Sequence, residues 1–113
     1  MSDLIAVFTT VATQEQADAL AEAAIGRGLA ACVHAESVNS TYRWNGSVVK
    51  EPETRLLFKT TKARYAELEH LILEIHPYDL PAVFAVRVSE ASSAYVHWVQ
   101  ESLSTAATSD GAT

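Results

Sequence analysis

Apolar residues along the chain fall into short unbroken runs and into stripes at helical spacing, and their succession sets the order of elements. Leu4-Ile5-Ala6-Val7-Phe8 is an apolar run without alternation, which predicts a strand with apolar side chains on both faces. Thr13 follows as a helix N-cap, with Gln16 in the capping-box position. Ala17, Leu20, Ala21, Ala24 and Ile25 then share one helical face. Arg27 suits the last turn, and Gly28 suits a left-handed C-cap. Leu29 to Val33 opens a long extended stretch that continues through Val38, Tyr42 and Trp44. Asn45-Gly46 predicts a type I′ turn, since both central positions of that turn need positive φ. The return strand runs from Ser47 to about Thr61, and Pro52 predicts a bulge or an unpaired edge within it. Leu29 to Thr61 is thus one hairpin with arms of roughly 14 residues, against the usual 5–6. Arms of that length reach past their own sheet and pair with something else.

Thr61 is placed to cap a second helix, whose apolar positions are Tyr65, Leu68, Leu71, Ile72 and Ile75. His76-Pro77 stops it, because a residue before proline avoids the helical region. Tyr78-Asp79-Leu80-Pro81 reads as an irregular link and Ala82 to Val88 as another non-alternating strand. Ser92 or Ser93 caps a last helix through Leu103, with Val96, Val99 and Leu103 inward and Trp98 in the core or at an interface. The order β-α-β-β-α-β plus one helix is the ferredoxin-like α+β pattern, as a single domain over 1–103. The small polar residues 104–113 read as a disordered tail. Two helices cover one face of such a sheet. The strands here carry apolar residues on the other face too, so a third helix and a symmetric neighbour are needed to cover it, and an oligomer is expected.

Composition narrows the function classes. The chain has 113 residues, 49% hydrophobic and 19% charged, enough for one domain. A net charge of −6 argues against nucleic acid as a partner, which requires clustered Lys and Arg. The single cysteine, Cys32, excludes an intrachain disulfide and fits a reducing compartment. No basic leader with a cleavage site opens the chain, and no apolar run approaches the roughly 20 residues that span a bilayer. A cytoplasmic protein without a membrane partner is expected.

Candidate chemistry is sparse. Cys32 and His34 share a strand face; a small buried hydrophobe is the favoured reading of Cys32 and a metal ligand the weaker one. His76 is both a helix stop and a candidate ligand for metal or anion at a cleft mouth. Lys59 stands in an apolar strand and needs a partner, either Glu51, Glu53 or a bound anion; a lysine snorkelling at the strand end is the competing reading. Trp44 and Tyr42, near the hairpin tip, are expected to dock on a partner or line a cleft. His70 and His97 read as solvated helix-surface residues. No P-loop, GxGxxG, HExxH or nucleophile elbow is present, and the chain is read as a binding protein, not an enzyme.

Several stretches taken together resemble the CutA divalent-cation tolerance family. They are Leu29 to Val33, Ser40-Thr41-Tyr42-Arg43-Trp44-Asn45-Gly46, Glu53 to Thr60, His76-Pro77-Tyr78-Asp79-Leu80-Pro81 and Tyr95 to Val99. The resemblance spans Ile5 to Leu103 in order. It implies a ferredoxin-like protomer in a PII-like homotrimer, with hairpins paired across subunits and ligand sites in intersubunit clefts. It also implies a response to divalent metal ions such as Cu or Zn. Copper ligation in that family is associated with a Cys late in the first strand, a His before the His-Pro-Tyr element and a Glu after the second Pro. Those positions are Thr9, Ile75 and Ala82 here, none a good copper ligand.

The leading expectation is a trimeric metal-tolerance protein with a small-ligand cleft. Lys59, Trp44, Tyr78 and His76 are its candidate cleft residues, for a small anion above all, and His76 and Cys32 its candidate metal ligands. A structural assembly or anchoring module is the alternative. An acylphosphatase-like hydrolase is the third; its Gly-rich phosphate loop with an Arg is replaced here by Thr9 to Gln14.

Overall fold

The computed structural model describes residues 3–112, with side chains from Asp3 to Leu103. The elements run β1 (Leu4–Val11), α1 (Gln14–Gly26), β2 (Cys32–Trp44), β3 (Ser47–Thr61), a 3₁₀ turn (Lys62–Arg64), α2 (Tyr65–Ile75), β4 (Phe84–Arg87) and α3 (Ser93–Ala112). The strands form one sheet in the order β2-β3-β1-β4 with every neighbour antiparallel. This is the split-βαβ arrangement expected from the sequence.

Local chemistry sets the boundaries. Thr13 accepts from the Gln16 backbone and Gln16 reaches back to the Thr13 N–H, closing the capping box. Gly28, at φ 69°, takes the left-handed conformation after α1. Asn45 and Gly46 stand at φ 50° and 81°, as the type I′ turn demands. His76 ends α2 in an extended conformation (φ −60°, ψ 133°) ahead of Pro77. Ser92 Oγ accepts from the Tyr95 N–H at the start of α3.

Two expectations are corrected, and a third is decided between its alternatives: of the bulge or unpaired edge expected at Pro52, the edge is found. Pro52 makes no bulge, because the β2–β3 register is unbroken from Cys32↔Lys59 to Trp44↔Ser47. Hydrogen-bonded and non-hydrogen-bonded pairs alternate from the turn, so Asn39↔Pro52 is a non-hydrogen-bonded pair. The missing N–H of Pro52 therefore faces away from β2, on the side where β1 has already ended at Val11↔Thr54. Thr61 does not cap α2 with its side chain; the 3₁₀ turn intervenes. The last strand is shorter than Ala82 to Val88, running from Phe84 to Arg87, where it pairs with Ile5 to Phe8 of β1.

Alternation divides the sheet into two faces. Ile5, Val7, Val11, Leu56 and Phe58 point to α1 and α2 and bury Leu20, Leu68, Leu71 and Ile72 with them. Ile25 and Ile75, expected inward, lie at the rim and are exposed. The opposite face carries Leu4, Phe8, Leu57, Phe84 and Val86 by register. α3 crosses only its Leu4 end, where Val99 and Leu103 pack beside Ala31, Val88 and Tyr95. The rest stays bare: Phe84 and Val86 are 52% and 50% exposed, with Phe8 stacked on Phe84 at 5.3 Å and Arg55 over Phe8 at 5.6 Å. The tail expected over 104–113 lies outside the described side chains. Among the described residues no helix is long and apolar enough to cross a membrane.

Candidate functional site

β3 outruns β1. Beyond Val11↔Thr54 the hairpin projects alone, and the link between α2 and β4 wraps around the end of β1 into the notch so formed. A cavity of about 370 Å³ opens there. Its strand wall is Tyr42 and Trp44 from β2, Glu51 and Glu53 from β3, and Thr10 from β1; Tyr78, Asp79, Leu80 and Ala82 of the link close it. Strand periodicity places these side chains together, since Tyr42 and Trp44 share a face and so do Glu51 and Glu53. Ser40↔Glu51 is a direct pair, which sets Tyr42 diagonal to Glu51 and within reach of it.

Two tyrosine–carboxylate pairs shape the site. The Tyr78 hydroxyl donates to Glu53 Oε2 at 2.7 Å, and the Tyr42 hydroxyl donates to Glu51 Oε1. Burial and the bond to Glu53 push the Tyr78 phenol up; the bond to Glu51 pushes Tyr42 up to about 12. Both phenols stay protonated and serve as donors throughout the physiological range. Glu53 is buried, and the Tyr78 hydroxyl supplies the hydrogen bond that a buried polar group requires.

His76 stands behind the cavity wall. Its Nε2 lies 2.8 Å from the Thr10 carbonyl oxygen, and its Nδ1 accepts from the Tyr78 N–H at 3.2 Å. An acceptor at Nδ1 leaves Nε2–H as the donor to Thr10, which is the neutral imidazole. Burial holds its pKa below the usual histidine value. The ring thus ties the link to β1 and sets the position of Tyr78, which meets it edge-on at 4.7 Å.

Of the cleft residues expected from the sequence, the structure brings Trp44 and Tyr78 into one cavity and His76 directly behind it. Lys59 is not there. It lies six residues beyond Glu53 along β3, about 20 Å away at the rise of an antiparallel strand. Its partner is neither Glu51 nor Glu53: the ammonium sits over the Tyr95 ring of α3 at 5.5 Å. Cys32 faces Lys59 in the register, at the same far end, and is a half-buried free thiol. Cys32 and His76 are therefore not neighbours, and both ring nitrogens of His76 are engaged. Among the described residues no group of three or more His, Cys, Asp or Glu side chains could hold a metal ion. The copper positions implied by the resemblance do not fit either. Thr9 is buried with its hydroxyl unpaired, Ile75 is exposed and Ala82 lines the cavity. The carboxylates at Glu51 and Glu53 as cavity walls were not anticipated. The turn at Asn45-Gly46 fixes the register that puts Glu51 beside Tyr42, so that half was readable; the reach of Tyr78 to Glu53 was not.

The fold and this notch define a ferredoxin-like α+β protein with a ligand-sized cleft at the root of a projecting hairpin. The sequence profile of the CutA1 divalent ion tolerance protein family matches residues 5–102, and the chain belongs to that family. It is 32% identical over 100 residues to the divalent-cation tolerance protein CutA of Thermotoga maritima, covering 88% of this chain and 99% of that one. It is 36% identical over 96 residues to the Thermus thermophilus protein of the same name, covering 84% and 93%. Among solved structures, CutA of Synechococcus elongatus superimposes with a TM-score of 0.88 at 39% identity, covering 91% of this chain and 92% of that one.

Proposed function

We propose that this chain serves in divalent-cation tolerance as a self-associating binding protein, a homotrimer, whose working site is the cavity at the hairpin root. The observation that carries the site is the convergence of three separate elements on it: two strands and the α2–β4 link meet through the Tyr42–Glu51 and Tyr78–Glu53 pairs. Self-association is supported by the bare apolar face around Phe84 and Val86 and by the hairpin arms that project past β1. Relatives carry the name divalent-cation tolerance protein, a name that describes a response and no reaction. The protein acts by binding. The free thiol of Cys32 suits a reducing compartment, and we place the protein in the cytoplasm. Copper is not assigned to Thr9, Ile75 or Ala82, which supply no ligand for it.

The test is complementation. A host lacking this protein and challenged with excess Cu(II) or Zn(II) is given the native chain, Glu51→Gln or Tyr78→Phe. Loss of tolerance with both variants, while sedimentation still finds trimers, supports the cavity as the working site. Tolerance equal to the native chain's would remove the cavity from the function.

A further inference from the structure

We infer that the cavity at the hairpin root takes an organic ammonium ion, held by aromatic walls and a carboxylate floor, and does not take a bare metal ion. The inference rests on the reading of this cavity as the ligand cleft and names the chemistry of its ligand. Three aromatic side chains line it, Tyr42, Trp44 and Tyr78, together with three acids, Glu51, Glu53 and Asp79, and no Lys, Arg or His is among the lining residues. A volume of about 370 Å³ falls within the range of small-molecule sites, about 300–1,000 Å³. Trp44 presents its indole to the cavity from β2. An aromatic face attracts a cation through its quadrupole, and Trp does so best. A chain of net charge −6 adds a favourable field for any cation approaching the cleft.

The same residues disfavour a metal ion. Soft and borderline ions want thiolate or imidazole, and neither lines the cavity. Hard divalent ions want about six or more oxygen ligands. Here Glu51 and Glu53 each already accept a tyrosine O–H, and Asp79 does not converge with them into a group able to hold an ion. An ammonium ion needs less: one face of Trp44 or Tyr42, and the carboxylate oxygens that the tyrosines leave free. The tyrosine hydroxyls keep the carboxylates turned into the cavity, so the negative charge is in place before the ligand arrives.

The experiment is titration of the native trimer with butyltrimethylammonium and, in parallel, with butanol, Zn(II) and Cu(II). It is read by calorimetry and by Trp44 fluorescence in a Trp98→Phe background, since the chain has two tryptophans. Saturable binding of the ammonium but not of butanol is expected, with Trp44→Leu and Glu51→Gln each weakening it about tenfold. Circular dichroism checks that the variants fold, and Trp44→Phe, which keeps a ring, should lose less than Trp44→Leu. Butanol binding as well as the ammonium would show that charge is not read and would overturn the inference. So would Zn(II) or Cu(II) binding that Glu51→Gln abolishes, although the cleft itself would then stand. No binding of any probe, with tolerance still lost in Glu51→Gln and Tyr78→Phe, would overturn the ammonium assignment alone. Unchanged tolerance in those variants would instead bring down the cleft on which it rests.

Discussion

The two faces of the sheet are built from the same strands and end in opposite conditions. On one, Val7, Leu56 and Phe58 have no accessible surface because α1 and α2 lie across them. On the other, residues one step along the same strands are half-covered or bare: Phe8 and Leu57 in the middle, Phe84 and Val86 at the β4 edge. Both faces carry large apolar side chains, although the second also holds Glu36, Arg55 and Lys59, so the apolar residues alone do not explain the difference in burial. What separates them is cover, and α3 reaches only the Leu4 end. Burial is therefore a property of what is stacked on a strand, and an apolar face without a helix calls for another molecule.

The largest effect is expected on the covered face. Phe58→Ala should destabilise the protomer by about 3–5 kcal/mol, the usual cost of emptying a fully buried aromatic site; denaturant titration measures it. If the bare face is an interface, Phe84→Asp acts differently. It should convert trimers to monomers at micromolar concentration, with a loss of about 2 kcal/mol or more of association free energy. Sedimentation velocity reads this, and the circular dichroism of the protomer should be unchanged. A variant that stayed trimeric would mean that Phe84 lies outside the contact.

At the join between the two regions, Tyr78→Phe leaves Glu53 buried without its donor. A loss of about 1–3 kcal/mol is expected from thermal melts, and Glu53→Gln in the same background should recover part of it. A subtler probe is pH. His76 is neutral in the fold and its pKa lies below the ordinary 6.5, so the unfolded chain binds the proton more readily. Stability should be flat above about pH 6.5 and fall as pH drops from there towards the folded-state value. His76→Asn should flatten that part of the profile. The smallest effect belongs far from either face: Thr13→Ala, which opens the capping box of α1, should cost about 1 kcal/mol.

Much of this protein was legible along the chain because the signals are local. The capping box at Thr13 and Gln16, the positive φ at Asn45 and Gly46, and the stop at His76-Pro77 each depend on a few neighbouring residues whose own dihedral and hydrogen-bond needs admit one answer. Apolar periodicity fixed the order of elements and hence the ferredoxin-like fold, and it put apolar side chains on both sheet faces. Trp44 and Tyr78, expected at a cleft from where the hairpin and the α2 stop put them, line the same cavity, with His76 behind its wall.

Other features waited for the tertiary structure. Lys59 looked like a cleft residue because it lies in an apolar strand, but its position along β3 relative to the end of β1 is a matter of register, and it finds Tyr95 of α3 instead. Pro52 was compatible with a bulge or an unpaired edge; the phase of the hydrogen-bond ladder counted from the turn, together with the length of β1, decided for the edge. The bond from Tyr78 to Glu53 spans 25 positions in the chain, and nothing local encodes it. Periodicity tells a side chain which face it occupies. Which element closes over that face, and which distant residue meets it there, is decided only when the whole chain packs.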